Sequence, residues 1–323
     1  LIMLVVMMQQ VKVAPFSPES NRNRFLHVHY MSISHKDWGN GTSNGPMSVQ
    51  TAREVYKSLK TPEAVTVYCC MTVSTPVSLP GAPAIGADVR ETDDTFFHVF
   101  DFQFTDGKPY DEATFTAGRP VAVITESISR ALFGSIQSVG KEFLLSHAPY
   151  RVVGVVKDVS TLADMAYGQV WIPFTSTNLS NDTWSDNHMG MMSVTLLAHD
   201  REDFDEIRAE AKRRMNEYNS ILADQGYTLI DRNRPYDQET QSISFAANLE
   251  PDLKAARRER VIIFIILLLV PAINLSSMTQ SRLRQRVAEI GVRRAFGSTR
   301  IEMVGQIVME NLVITLLAGA IGL

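Results

Sequence analysis

Residues Gly134 to Glu142 read Gly-Ser-Ile-Gln-Ser-Val-Gly-Lys-Glu, which invites comparison with a phosphate-binding loop. Such a loop cradles phosphate with backbone amides and needs four residues between its glycines, with a Ser or Thr after the Lys to hold magnesium. Here five residues intervene and Glu142 follows Lys141, so a turn between a helix and a strand is the better reading. The seven histidines (27, 29, 35, 98, 147, 188 and 199) form no HExxH pair. His27 and His29 share one face of a strand, a spacing that could hold a metal, and no third ligand is evident. Cys69 and Cys70 are adjacent, and a bridge between neighbours would close a strained ring. They are expected to be buried free thiols in the apolar run Ala64 to Val73. No Gly-x-Ser-x-Gly elbow is present, and acids such as Asp93 and Asp94 have surface explanations. Four Asn-x-Ser/Thr matches, at Asn40, Asn178, Asn181 and Asn274, arise easily by chance. The chain carries no catalytic constellation, no metal site and no cofactor site of its own.

The elements around these residues suggest a repeat. Phe25 to Ser34 alternates like a strand, Val49 to Leu59 has helical spacing and Ala64 to Val73 is β-branched. Much later, Met191 to Leu197 reads as a strand, Asp203 to Leu222 as an amphipathic helix and Tyr227 to Ile230 as another strand. Two β-α-β units so far apart point to one split subdomain with an insertion. The insertion is strand-rich. Thr92 is expected to cap a short helix, and Val121 to Ile124 to form a strand. Thr125 is expected to cap a helix that runs through Phe133 and ends at Gly134. Tyr150 to Val156 and Val170 to Phe174 are further strands, and Asn178 to His188 is a surface loop.

Charge divides the chain. Residues 257–323 hold nine Lys and Arg against four acids, which leaves 22 against 31 for the rest. An acidic body joined to a basic, greasy tail is not the plan of a cytosolic enzyme, and it argues against nucleic acid as a partner. Val261 to Ser281 is 21 residues without a charge, ~31 Å of helix and enough to cross a bilayer. Pro271 inside that run removes a backbone donor and predicts a helix kink. Leu1 to Met8 reads as the last turns of a helix whose beginning is cut off, and Met303 to Leu323 as a third membrane helix, truncated. The segment Arg282 to Arg300 holds six Arg and one acid, Glu289. A short basic loop of this kind stays in the cytoplasm, which places the large body outside.

Val287 to Arg300 (VAEIGVRRAFGSTR) resembles the cytoplasmic signature of MacB/FtsX-type ABC transporter permeases. It departs from the family in Ala288, where Arg or a similar polar residue is frequent. Arg119 to Ser127, Phe133-Gly134, Val139 to Lys141 and Tyr150 to Asp158 resemble the same family's extracytoplasmic core domain. The resemblance implies an α+β extracytoplasmic domain, a split β-α-β porter-like subdomain with a β-rich insertion, flanked by transmembrane α-helices in a bacterial inner membrane. On that plan residues 1–11 end a first membrane helix and 12–256 form the core domain. Within the core, 25–74 and 190–231 are the porter-like halves and 84–186 the inserted subdomain. Residues 261–281 are the second membrane helix, 282–302 the cytoplasmic coupling segment and 303–323 the third membrane helix.

The family also implies partners and a role. Two copies, or a copy and a paralogue, work as a dimer among membrane lipids. ATP is bound by a partner ABC ATPase, separate or fused, and not by this chain. Its movement is relayed through the helices to the outer domains, for export with a membrane-fusion protein or, alternatively, for control of a cell-wall hydrolase or sensor. By this resemblance Glu289, Ile290, Gly291, Arg293, Arg294, Phe296 and Gly297 form the ATPase-coupling element. Glu289 and Arg293 are spaced to pair on one helix face. Ile290, Val292 and Phe296 supply apolar contact, and Gly297 to Thr299 ends one helix and can cap the next.

Overall fold

The computed structural model describes residues 12–322; the helix end expected over 1–11 lies outside the described residues. The chain divides after Ala256 into two compact units. The larger begins with β1 (Phe25–Val28), β2 (Met31–His35), β3 (Thr42–Gly45), the helical turn α1 (Val49–Thr51), which continues as a π-helical stretch (Ala52–Lys57), and β4 (Ala64–Cys69). Next come β5 (Val73–Ser78), β6 (Ile85–Thr92), α2 (Phe96–Val99), β7 (Phe104–Gly107) and α3 (Glu112–Thr116). They are followed by β8 (Val121–Thr125), α4 (Glu126–Phe133), β9 (Glu142–Leu145), β10 (Ala148–Val156) and β11 (Val170–Pro173). The chain returns through β12 (Met192–Leu197), α5 (Phe204–Leu222), β13 (Tyr227–Ile230), β14 (Tyr236–Asp237) and α6 (Gln238–Gln241).

The early and late segments interleave. β12 lies between β4 and β1, antiparallel to both, with Val194 opposite Val67 and Val28. β13, β2 and β3 make a second, three-stranded sheet. Helix α5 turns Phe204, Ile207, Ala211, Met215, Tyr218 and Leu222 inward, a spacing of three and four that makes one stripe along the helix. The stripe packs with Leu26, Ile33, Val55, Tyr56 and Leu196 in one core, where each fully buried Leu, Ile or Met contributes ~2 kcal/mol.

The strand expected over Phe25 to Ser34 is therefore two strands in two sheets. β1 is buried throughout, with Phe25 in an aromatic cluster and Leu26 in the helix-covered core. A strand covered on both faces loses the alternation that marks where one sheet ends and the next begins.

The strand-rich part closes on itself. β6 pairs with β11, β11 with β8, β8 with β10, β10 with β9, β9 with β5 and β5 with β6. This six-stranded ring has no free edge, which removes the unpaired backbone groups that an open sheet exposes. The two faces of its strands do different work. Ala122, Ile124, Val152, Val155, Val170 and Ile172 share one core with Phe143 and Leu145. Val121, Val123, Val156 and Trp171 turn the other way, onto a second core with Phe96, Phe100 and Phe102. That second core also takes Phe25, Tyr68 and Leu197 from the first layer, so the two parts are cemented by one aromatic cluster.

Two local expectations change. β5 lies ahead of residue 84, where the inserted part was expected to begin; only Val77 of this strand is fully buried, so its apolar signal is weak. Thr92 stays in β6, hydrogen-bonded to the Tyr110 hydroxyl, and Thr95 precedes α2 instead. Helix α4 follows its signals: the Thr125 hydroxyl accepts from Ile128 N at 3.4 Å, and Gly134, at φ +69°, closes the helix on the carbonyl of Arg130.

The second unit is helical: it takes α7 (Leu253–Gln285) from Arg257 onward, with α8 (Val287–Ala295) and α9 (Arg300–Gly322). The uncharged run Val261 to Ser281 lies within α7, which continues through position 271 without a break in its helical backbone. Among the described residues one stretch, Arg300–Ala318 of α9, is long and apolar enough as a helix to cross a membrane.

Candidate coupling site

Helix α8 starts after Arg286 and stops where Gly297 adopts φ +95°. Gly297 N donates to the Arg294 carbonyl at 3.1 Å and Ser298 N to the Arg293 carbonyl at 3.2 Å, the paired bonds of a Schellman stop. The next helix is capped at once. Thr299 Oγ1 accepts from Glu302 N at 3.3 Å, and the Glu302 carboxylate accepts from Thr299 N at 2.9 Å, a reciprocal capping box. The chain reversal between α8 and α9 is thus written into seven residues, Phe296 to Glu302.

The two faces of α8 have different fates. Arg286, Glu289, Ile290 and Arg293 line a crease against Met303, Gln306, Ile307 and Glu310 of α9. Arg293 donates to Glu289 at 2.6 Å and to Gln306 at 2.9 Å. Gln306 donates to Glu310 at 3.1 Å, and Arg286 donates to the other oxygen of Glu310 at 3.0 Å. On the other face Val292 and Phe296 are 57% and 87% exposed. The three residues expected to give apolar contact therefore separate, Ile290 toward α9 and the other two outward. Arg294 is exposed, and open space surrounds Gly291. Gln306 and Glu310 belong to this constellation although they stand outside the signature segment; their spacing of four in an otherwise apolar run was the signal.

Elsewhere the candidate chemistry is absorbed by packing. Amides of Ser138 and Val139, where a phosphate would sit, donate to the Asp106 carboxylate at 3.1 and 3.3 Å. His27 is held between Thr195 at 3.1 Å and Gln238 at 2.8 Å, and His29 meets Ser193 at 3.2 Å. Cys69 and Cys70 are free thiols. Among the described residues no group of three or more His, Cys, Asp or Glu side chains is placed to hold a metal.

Comparison with known proteins bears on both units. The MacB-like periplasmic core domain matches residues 1–214, and the FtsX-like permease C-terminal domain matches residues 261–323. The chain belongs to the MacB/FtsX family. That family comprises ABC transporter permeases of the inner membrane, and the larger unit matches their periplasmic core domain. The chain is 22% identical over 73% of its length to an uncharacterized ABC transporter permease, YknZ, of Bacillus subtilis, of which it spans 55%. It is 24% identical over 74% of its length to the macrolide export ATP-binding/permease protein MacB of Burkholderia cenocepacia, of which it spans 33%. The solved periplasmic region of MacB from Actinobacillus actinomycetemcomitans is 19% identical, with a TM-score of 0.42 over 63% of the permease and 88% of that chain.

Proposed function

We propose that this permease converts ATP-driven movement of a cytoplasmic ABC ATPase into a change of its periplasmic domain, and that the outcome is export. The ATPase, separate or carried on the same longer chain, binds and hydrolyses the nucleotide. The permease supplies no catalytic group. Glu289, Ile290, Gly291, Arg293, Arg294, Phe296 and Gly297 present the docking surface, and Pro271, which has no backbone N–H to donate within the continuous helix α7, is the point at which the relay bends under load. Two copies pair in the membrane, and the split first layer acts as the porter-like part that a membrane-fusion protein contacts. The export reading is supported by the name of the Burkholderia relative.

One observation carries the docking claim: α8 is bonded to α9 along one face and leaves Phe296 87% exposed on the other. A large aromatic offered to solvent beside Arg294 is what a hot-spot anchor looks like before its partner arrives. In the test, the permease and its cognate ATPase are co-expressed and co-purified. Phe296→Ala should lower recovery of the ATPase at least tenfold with membrane insertion unchanged. Normal recovery with Phe296→Ala, together with loss of insertion when Arg282, Arg284 and Arg286 are replaced by Ala, would make the segment a lipid anchor.

A further inference from the structure

We infer that residues 286–311 are a single two-helix hairpin standing outside the hydrocarbon core, locked by Arg286 and Glu310, and that α9 enters the core only after Asn311. Composition alone puts the boundary at Met303. On that boundary Gln306 and Glu310 would sit about 5 and 10 Å deep in lipid, with a carboxylate among acyl chains. Ionisable groups inside membranes are costly and rarely face lipid.

The bonding pattern places them elsewhere. Arg286 follows Ser281, the last residue of the uncharged run, by five positions. Its guanidinium reaches Glu310 at 3.0 Å, so Glu310 lies level with the start of α8 and beyond the exit of α7. Farther along α8, Arg293 meets Gln306 at 2.9 Å. Helix α8 thus runs antiparallel along the first eleven residues of α9, with the exposed Phe296 and Ile301, 87% and 85%, at the far tip. Arg286, Glu289, Arg293, Gln306, Glu310 and Asn311 face the crease between the helices, and the residues after Asn311 are apolar through Leu317 apart from Thr315.

The chain of bonds from Glu289 through Arg293, Gln306 and Glu310 to Arg286 makes the hairpin a single body. Each exposed pair alone is weak in water; four bonds in series, two of them crossing between α8 and α9, leave the two helices little freedom to slide. Arg286 and Glu310 are positioning residues: they fix the angle at which the tip is offered and deliver its displacement to α9. That role rests on the coupling proposal, whereas the boundary after Asn311 does not.

The experiment uses the full chain with Cys69 and Cys70 replaced by Ala and single cysteines at Val304, Val308 or Leu317. Open membrane fragments, accessible from both sides, are treated with a charged maleimide. Val304→Cys and Val308→Cys should react at least fivefold faster than Leu317→Cys; equal, slow rates at all three would overturn the inference. In the Val308→Cys background, Glu310→Gln should slow labelling at least threefold, as a neutral α9 slides into lipid. The charge swap Arg286→Glu with Glu310→Arg should restore the rate. A swap no faster than Glu310→Gln would show that the pair does not hold the hairpin. Failure of the unsubstituted chain to bind the ATPase would defeat the coupling proposal and leave the labelling pattern, and the hairpin, standing.

Discussion

The Nζ of Lys57, at the end of the π-helical stretch, lies 2.7 Å from the carboxylate of Asp93, which is 1% exposed just after β6. The Asp93 oxygens also accept from Thr66 Oγ1 at 2.7 Å and Val67 N at 3.0 Å. Three elements (the π-helical stretch, β4 and the end of the barrel strand β6) therefore meet on one carboxylate. Burial raises the Asp93 pKa, and Lys57 pulls it back.

Replacing Lys57 by Met would leave that carboxylate without its cation. The expected loss is about 2 kcal/mol, below the usual figure for a broken buried pair because Lys57 is itself partly exposed. Without Lys57 the folded Asp93 pKa rises further, so the loss should be larger at pH 8 than at pH 4. Urea denaturation of the periplasmic domain at the two pH values checks this; equal losses would show that the pair contributes packing and not charge.

Glu91 and His27 give opposite pH slopes. Burial pushes Glu91 up to about 7 from 4.5, against a hydrogen bond from Thr177. A carboxyl with a raised folded pKa holds its proton better when folded, so its contribution falls as pH rises from 4.5 to 7. Burial lowers His27 from 6.5 to about 4, so stability is lost as pH falls from 6.5 toward 4. Glu91→Gln removes the first slope. Relative to the unsubstituted domain, the variant should gain about 2 kcal/mol between pH 5 and pH 8, and a pH-independent difference would contradict the assignment.

Trp171 is fully buried between Phe97 and Phe102, with ring centroids 6.4 and 5.0 Å away. Trp171→Ala should cost about 3–5 kcal/mol, because the barrel and the first layer share the cavity it would leave. Calorimetry should show one transition displaced to lower temperature; an unchanged melting point would mean that the cluster is not the cement between the two parts.

Single cysteines at Asn181 and Ser298, in a chain without Cys69 and Cys70, should report the topology. An impermeant thiol reagent on intact spheroplasts should modify Asn181→Cys and spare Ser298→Cys. Labelling of both to the same extent would sink the orientation drawn from the arginines of residues 282–300.

Local signals proved most legible where a single side chain closes its own turn. Thr125 and Gly134 delimit α4, and Tyr227 to Ile230 forms β13 as its β-branched and aromatic pattern indicates. The local structure of α8 was legible for the same reason: Glu289 and Arg293 are four residues apart on one helix, and Gly297 has the freedom to stop it. Gln306 and Glu310 stood in plain view as polar interruptions, but their partners lie 13 and 24 residues away, beyond what helical spacing can pair.

What the sequence determined by itself are the properties that depend on neighbours along the chain. These are the acidic body and basic tail, the uncharged run through Pro271, the caps, the stripe of α5 and the signature from Glu289 to Gly297. Only the tertiary structure decided which strands meet. β5 joins a barrel because β6 and β9 offer it backbone partners, and β1 leaves β2 because β12 and β13 lie in different sheets. Alternation shows that a strand has two faces; it carries no label for what will cover each. The same holds at α8, whose two faces are both part apolar and part basic. Contact with α9 alone determined that Ile290 and Arg293 turn inward and that Phe296 is left exposed.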